Sequence, residues 1–141
     1  MSKQLFEDGN TRVKWARLEN GVIHQQHKLL HNKISDDAIV TIINESGCQQ
    51  LFIANVAGGE MEQRLHSIVM QSDISEPMFI RSEAQAFGIT NAYEEPHRLG
   101  VDRWLAMIAA RSVFKQAFYV VDAGSAVTID AVDEQGMHLG G

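Results

Sequence analysis

A carboxylate two residues before a glycine, with a small hydrogen-bonding residue just after the glycine, occurs near both ends of this sequence. The first copy is Glu-Asp-Gly-Asn-Thr at residues 7–11, and the second is Asp-Ala-Gly-Ser-Ala at residues 122–126. Each copy lies between two hydrophobic segments, which is the pattern of a turn that joins two strands. Glycine lets backbone N–H groups approach an anion, and a carboxylate can hold a hydrated cation against phosphates. Two such turns can therefore hold one phosphate chain, although each alone also has the composition of an ordinary hairpin turn.

The composition argues against several classes of partner and location. Of the 141 residues, 45% are hydrophobic and 21% are charged, which is typical of a globular protein. The net charge of -6 argues against nucleic acid or an acidic membrane surface as the main partner. No apolar run approaches the roughly 20 residues that span a bilayer. The start lacks the apolar segment of a signal peptide, and Cys48 can form no internal disulfide. We therefore expect a cytoplasmic protein.

Hydrophobic periodicity and turn residues predict a first domain with the element order βββαβαβα. Ser35 can cap a helix that carries acidic residues in its first turn and stops at Gly47. A glycine pair at residues 58 and 59 opens a second helix. The predicted strands are residues 5–7, 12–18, 22–26, 51–56 and 78–80, and the last helix spans residues 99–114 with Val101, Leu105, Ile108 and Val113 on its apolar side.

The opening pattern of strands begins again at Phe118. Strands are predicted at residues 118–122, 126–132 and 137–139, with a turn at residues 133–136. A unit that has only its first strands cannot bury both faces of its sheet. We therefore predict one complete domain over residues 1–117 and the start of a second, truncated domain over residues 118–141.

Four segments in this order resemble the type III pantothenate kinase family. The most specific is Gly-Val-Asp-Arg at residues 100–103, which follows Tyr-Glu-Glu-Pro at residues 93–96. The other matching segments are residues 7–12, 121–130 and 136–141. This family belongs to the superfamily of acetate kinase, sugar kinases and actin, which is built from duplicated ribonuclease H-like domains. The resemblance covers the whole chain and implies an α/β, ribonuclease H-like (actin-like ATPase) fold with a mixed sheet, followed by the opening strands of the second copy.

The resemblance implies an activity and a set of acceptor-side residues. Type III enzymes transfer the γ-phosphoryl group of ATP to pantothenate, giving 4'-phosphopantothenate at the first step of coenzyme A biosynthesis. The family pattern assigns the general base to Asp102, and a carboxylate within reach of the attacking hydroxyl can accept its proton. The pantothenate contacts are then Tyr93, Gly100, Val101, Asp102 and Arg103. Without this motif, Asp102 would be interpreted as an ordinary acidic residue at the start of a helix, and Arg103 as an ordinary solvated arginine.

The resemblance also implies nucleotide and cation sites. Ser125 stands where most members have a threonine that contacts ATP, and Asp122 corresponds to the ligand of a monovalent cation, K+ or NH4+. Mg2+ accompanies the ATP, and oxygen donors suit both kinds of cation. Family members are homodimers. The first ATP-phosphate segment comprises Glu7, Asp8, Gly9, Asn10, Thr11, Arg12, Val13 and Lys14.

The first motif departs from the family pattern, in which an aspartate is followed by a hydrophobic residue. Here Glu7 and Asp8 occupy those two positions. Glutamate carries its carboxylate roughly 1.5 Å farther out, and Asp8 falls where a core-facing apolar side chain is expected. A local backbone shift that gives Asp8 the acidic role is one alternative. A second function also stays open, that of a catalytically impaired nucleotide-binding regulatory or accessory protein, and we expect the 141 residues alone to be inactive.

Three histidines, His24, His27 and His31, are close enough in sequence to suggest a metal cluster. They begin in a predicted strand and continue into a polar segment, and Cys48 stands alone elsewhere. A zinc site is therefore not expected.

Overall fold

The structure, a computed structural model, describes residues 2–74 and 76–141. The chain divides into two compact units, Met1–Ile80 and Arg81–Gly141, and each is described by itself. The predicted domains meet at residue 117 instead, so the helix before that point belongs to the second compact unit. The domain division at residue 117 stays a prediction.

The first unit is built on a five-stranded mixed sheet. Strands β1 (Ser2–Asp8), β2 (Arg12–Glu19) and β3 (Val22–Leu30) form an antiparallel meander. Strands β4 (Gln50–Asn55) and β5 (Pro77–Phe79) join in parallel, giving the order β3-β2-β1-β4-β5. The mixed sheet predicted for a ribonuclease H-like domain is confirmed. Because β1, β4 and β5 are parallel, their carboxyl ends meet at one edge, where ligands bind in open α/β sheets.

Two helices share one hydrophobic core with this sheet. Helix α1 (Asp36–Glu45) begins as predicted, because Ser35 Oγ accepts a hydrogen bond from Ala38 N at 3.2 Å. Helix α2 (Gly59–Val69) begins after Gly58, whose φ of 94° favours glycine. The buried core side chains are Phe6, Val13, Ile34, Ile39, Ile43, Leu51, Ile53, Leu65, Ile68, Val69 and Ile74.

The second unit combines two hairpins with one long helix. Strands β6 (Gln85–Ala86) and β7 (Ile89–Thr90) form a short hairpin, α3 (Val101–Val113) follows, and β8 (Phe118–Ala123) pairs antiparallel with β9 (Val127–Val132). None of the helices in the described residues is long and apolar enough to cross a membrane. The buried core of this unit consists of Ile89, Leu99, Trp104, Met107 and Val132.

The apolar side predicted for α3 was right for Val101 and for Ile108, which packs partly buried against the core, and wrong for the other two residues. Leu105 and Val113 are 37% and 71% exposed, whereas Val101, Trp104 and Met107 are buried. The packed face is set by Trp104, the largest side chain of the helix, which lies about 100° around the helix from Leu105. The apolar residues of α3 alone do not show which of these faces meets the rest of the core.

Two strand predictions also differ from the structure. The expected strand at residues 137–139 is replaced by isolated bridges, Thr90 to Met137 and Val132 to His138. The β6–β7 hairpin has no counterpart in the sequence prediction, because two-residue strands leave no alternating pattern. Its turn contains Phe87 and Gly88, which both have positive φ angles.

Candidate active site

The first motif forms the turn between β1 and β2. Gly9 N donates to Arg12 O at 3.0 Å and closes the turn. Asn10 and Thr11 are exposed at the turn, whereas Val13 is buried in the core. The side chain of Val13 therefore lies in the core and is not open to a nucleotide.

Glu7 and Lys14 face each other across β1 and β2. They are partners in the antiparallel register, and Lys14 Nζ lies 3.1 Å from Glu7 Oε1. Both side chains are substantially exposed, so the pair contributes little to folding stability. Its effect is local, because the carboxylate holds the ammonium group beside the turn.

Asp8 projects from the opposite face of β1 to Glu7 and lies inside the first unit. Only 1% of its surface is exposed. The pairing of β1 with β2 and β4 continues through Asp8 without a register shift, so the structure shows no backbone slip at this point. The motif therefore places a carboxylate at the core-facing position predicted for an apolar side chain.

Two basic residues, His31 and Arg64, face the Asp8 carboxylate. His31 Nε2 lies 2.8 Å from Asp8 Oδ1, which is an ion-pair distance, but neither carboxylate oxygen accepts a hydrogen bond from the described residues. The hydrogen bond of the His31 ring goes to Gly9 O at 2.5 Å. Burial raises the pKa of Asp8 above its ordinary value of 3.8, and attraction to His31 and to Arg64 of α2 offsets only part of this effect.

The Gly-Val-Asp-Arg motif begins helix α3. Gly100 immediately precedes the helix, Val101 is buried at its first position, and Asp102 lies in the first turn, where the helix dipole favours negative charge. Asp102 Oδ1 accepts a hydrogen bond from Arg103 N at 2.8 Å. A Cβ atom on Gly100 would lie 2.7 Å from the same oxygen, so glycine lets the carboxylate take this position.

Arg103 is fixed by a buried carboxylate. Its Nε donates to Asp130 Oδ2 at 2.9 Å and its Nη2 donates to Asp130 Oδ1 at 2.6 Å, which is a bidentate pair. His138 Nε2 lies 2.9 Å from Asp130 Oδ1, and its side chain is fully buried. Arg103 Nη1 also donates to the Tyr93 hydroxyl at 3.4 Å, and the Tyr93 ring stacks on His138. The structure thus brings two of the predicted substrate residues, Tyr93 and Arg103, together around Asp130.

The charges in this network stabilise each other. Burial alone would raise the pKa of Asp130, but hydrogen bonds from Arg103 and His138 outweigh it and hold the pKa below the usual value. The hydrogen bond to Asp130 raises the pKa of Arg103, against the opposing effect of burial. Arg103 is therefore a permanently charged group held in one orientation.

The second turn motif joins β8 and β9. Asp122 pairs with Thr128, and Gly124 N donates to Ala126 O at 3.1 Å. Asp122 and Ser125 are both exposed there. An exposed carboxylate suits K+ or Mg2+, but such ions take about six or more oxygen ligands. Since the described residues contain no group of three His, Cys, Asp or Glu side chains suited to a metal, Asp122 would need backbone, substrate or water oxygens beside it.

Comparison with known proteins extends the agreement beyond the motifs. A sequence model of type III pantothenate kinases matches residues 5–141. The chain belongs to the type III pantothenate kinase family. The type III pantothenate kinases of Marinomonas sp., Teredinibacter turnerae and Alcanivorax borkumensis are 43%, 39% and 36% identical to it, over 97%, 99% and 97% of this chain and 53%, 56% and 56% of those proteins.

The chain spans about half the length of the curated relatives it matches. The predicted resemblance is confirmed, whereas the roles of individual site residues stay predictions. The predicted first ATP segment lies in the first compact unit. The second compact unit contains the predicted substrate residues, the predicted ATP contact Ser125 and the predicted cation ligand Asp122.

Three residues of these sites escaped the sequence analysis: His31, Asp130 and His138. Asp130 gave one usable signal, because a carboxylate that shares a strand face with Val132 needs a buried partner. The two histidines gave none, since their contacts depend on segments that are distant in sequence. His31 was considered only as a metal ligand.

Proposed function

We propose that the protein is an ATP-dependent pantothenate kinase, which forms 4'-phosphopantothenate at the first step of coenzyme A biosynthesis. The observation that supports this most is the start of α3, where the Asp102 carboxylate directly precedes an arginine oriented by a buried aspartate. A protein that only sensed nucleotide would have no need for such an acceptor-side arrangement. Membership of the type III pantothenate kinase family supports the same conclusion.

In this proposal Asp102 is the general base. The primary hydroxyl oxygen of pantothenate bonds to the γ-phosphorus of ATP, the bond from that phosphorus to the β,γ-bridging oxygen breaks, and ADP leaves. The hydroxyl proton passes to the Asp102 carboxylate. Phosphoryl transfer otherwise depends on positioning and charge neutralisation, which a carboxylate fixed at a helix start can assist.

Arg103 and Tyr93 bind pantothenate in this proposal. A guanidinium group has five N–H donors, and the hydrogen bonds to Asp130 and Tyr93 use three of them. The remaining two suit the carboxylate of pantothenate. The backbone of Gly100 and Val101 completes the contacts.

The ATP phosphates bind at residues 7–14, where turn N–H groups and Lys14 are donors, and Ser125 contributes a hydroxyl. Asp122 would be a ligand of K+ or NH4+, and Mg2+ bound with ATP would neutralise phosphate charge. We further propose that the enzyme acts in the cytoplasm as a homodimer on a small-molecule substrate, without a nucleic-acid or membrane partner.

The test of this proposal is Asp102→Asn in the full-length protein. Loss of the base should lower pantothenate-dependent ADP formation by about 100-fold or more, while the Kd for Mg-ATP changes less than about threefold. Glu94→Gln, at an exposed position of the same segment, is the charge-matched control. Activity of Asp102→Asn within a few-fold of wild type would remove the general-base role.

One observation favours the second candidate, a nucleotide-binding regulatory or accessory protein. Glu7 replaces the family aspartate, and its carboxylate is already paired with Lys14. ATP binding without any pantothenate-dependent ADP formation by the wild-type protein would support that function instead.

A further inference from the structure

His31 makes three contacts with the first-motif turn. Its backbone N donates to Thr11 O at 3.1 Å, its ring Nε2 lies 2.5 Å from Gly9 O, and the same nitrogen lies 2.8 Å from Asp8 Oδ1. One residue that follows β3 therefore holds two carbonyl oxygens of a turn that closes between β1 and β2.

The chemistry of these contacts defines the state of the ring. A carbonyl oxygen can only accept a hydrogen bond, so Nε2 must carry a hydrogen to bond Gly9 O. An anion-binding turn needs its N–H groups, and not its carbonyl oxygens, directed at the anion. Donors that bond the carbonyl oxygens of Gly9 and Thr11 keep these oxygens directed away from the anion. They thus favour the conformation of the turn that binds an anion.

We propose that His31 is a positioning residue for the ATP-phosphate turn, acting through its Nε2–H on Gly9 O and its backbone N–H on Thr11 O. This inference rests on the proposed function of residues 7–14. It adds to the site a residue that itself contacts no substrate and that lies outside the segments that carry the resemblance.

Asp8 strengthens this arrangement. Its buried carboxylate attracts the same ring N–H, at a position where the resemblance predicts a hydrophobic residue. The other cation that faces it is Arg64 of α2, which is itself paired with Asp36 of α1. Glu7 and Lys14 project from the other face of the sheet. The imidazole Nε2, 2.8 Å from Asp8 Oδ1, therefore lies at ion-pair distance from a carboxylate that is buried beside the turn.

The test compares His31→Leu, which has no donor, with His31→Gln, whose side-chain amide can donate to Gly9 O. In the full-length protein, His31→Leu should raise the KM for ATP about tenfold, the effect of losing one hydrogen bond near a charged group. The KM for pantothenate should stay within about twofold. His31→Gln should recover most of the loss, and His24→Leu, at an exposed position on β3, should behave as wild type.

Several results would overturn the proposal. They are an unchanged KM for ATP in His31→Leu, equal increases in the KM for ATP and for pantothenate, or a His31→Gln variant as impaired as His31→Leu. His31→Ala replaces His31→Leu if the leucine variant does not fold.

A second measurement separates this inference from the proposed function. In the 141-residue chain without ATP, His31→Leu should speed amide hydrogen exchange at Gly9, whose N–H closes the turn, about tenfold relative to wild type and to His24→Leu. Unchanged exchange would show that His31 does not hold the turn. If exchange is faster but the protein never forms ADP, His31 still positions the turn, and the proposed kinase function is wrong.

Discussion

Replacing Asp130 by asparagine should strongly destabilise the second compact unit. Asp130 is 2% exposed and accepts hydrogen bonds from Arg103 Nε, Arg103 Nη2 and His138 Nε2. Asparagine keeps the size of the side chain and one acceptor oxygen. It removes the negative charge and turns N–H groups toward donors.

The magnitude follows from what is left unpaired. Breaking a buried ion pair by removing one partner costs about 3–5 kcal/mol. Arg103 is 18% exposed and can recruit water, whereas His138 is fully buried and cannot. We therefore expect the low end of that range, about 3 kcal/mol, which is a large share of a typical unfolding free energy of about 5–15 kcal/mol.

The loss of unfolding free energy caused by Asp130→Asn should become smaller as the pH falls. The pKa of Asp130 is lower in the folded protein than its ordinary value of 3.8. The unfolded chain therefore binds more protons between these two pKa values, and folding stability rises with pH there. The contribution of Asp130 is fully present above about pH 4 and is lost as the pH falls through its folded pKa. The difference between wild type and Asp130→Asn should shrink over the same interval.

Urea titration of the 141-residue chain measures this difference. Trp104, which is buried in the core of the second unit, reports its unfolding by fluorescence when Trp15 is replaced by phenylalanine. Glu134→Gln removes an exposed charge from the same unit and is the control. A loss below about 1 kcal/mol at pH 7, or a loss that stays constant below pH 3.8, would refute the reasoning.

Two further predictions concern the first motif. Asp8→Val should stabilise the first unit by about 1–3 kcal/mol at pH 7, because it removes buried carboxylate oxygens that accept no hydrogen bond from the described residues. Burial raises the folded pKa of Asp8, so wild-type stability is lost as the pH rises through that pKa. Urea titrations should therefore show a smaller gain toward pH 4, and a pH-independent difference would contradict the burial argument. Glu7→Asp should preserve or raise turnover in the full-length protein, and Asp8→Ala should lower turnover only slightly. If steady-state assays show that Asp8→Ala abolishes turnover and that Glu7→Asp leaves it unchanged, Asp8 is the functional acid.

The sequence predicted those parts of the fold that depend on local signals. Ser35 and the two aspartates after it predict the start of α1, because capping and dipole effects act within one turn. The mixed sheet was predicted from the resemblance and was confirmed, whereas the order of its strands was not predicted. The face of α3 depends on residues from other elements that surround Trp104, so the helix sequence alone misassigned it.

The site residue His31 escaped prediction because of an irregular strand. The predicted third strand ends at Gln26, whereas β3 continues to Leu30. Gln25 has a φ of 51°, and the pairing with β2 shifts register between Trp15 and Arg17. Such a bulge breaks the alternating pattern that identifies strands. The continuation beyond it is what returns His31 to the first-motif turn.

Both predicted sites contain a cation that is already paired with a carboxylate of the chain. Lys14 is held by the exposed Glu7, and Arg103 is held by the buried Asp130. The two pairs should respond differently to a ligand. Phosphates can displace Glu7 from Lys14, because water competes for an exposed pair and little free energy is lost. Displacing Asp130 would leave buried charge, so in the proposed enzyme pantothenate would bind Arg103 through its remaining donors. Under this proposal the first site would adapt its charge to ATP, whereas the second would offer pantothenate a fixed geometry.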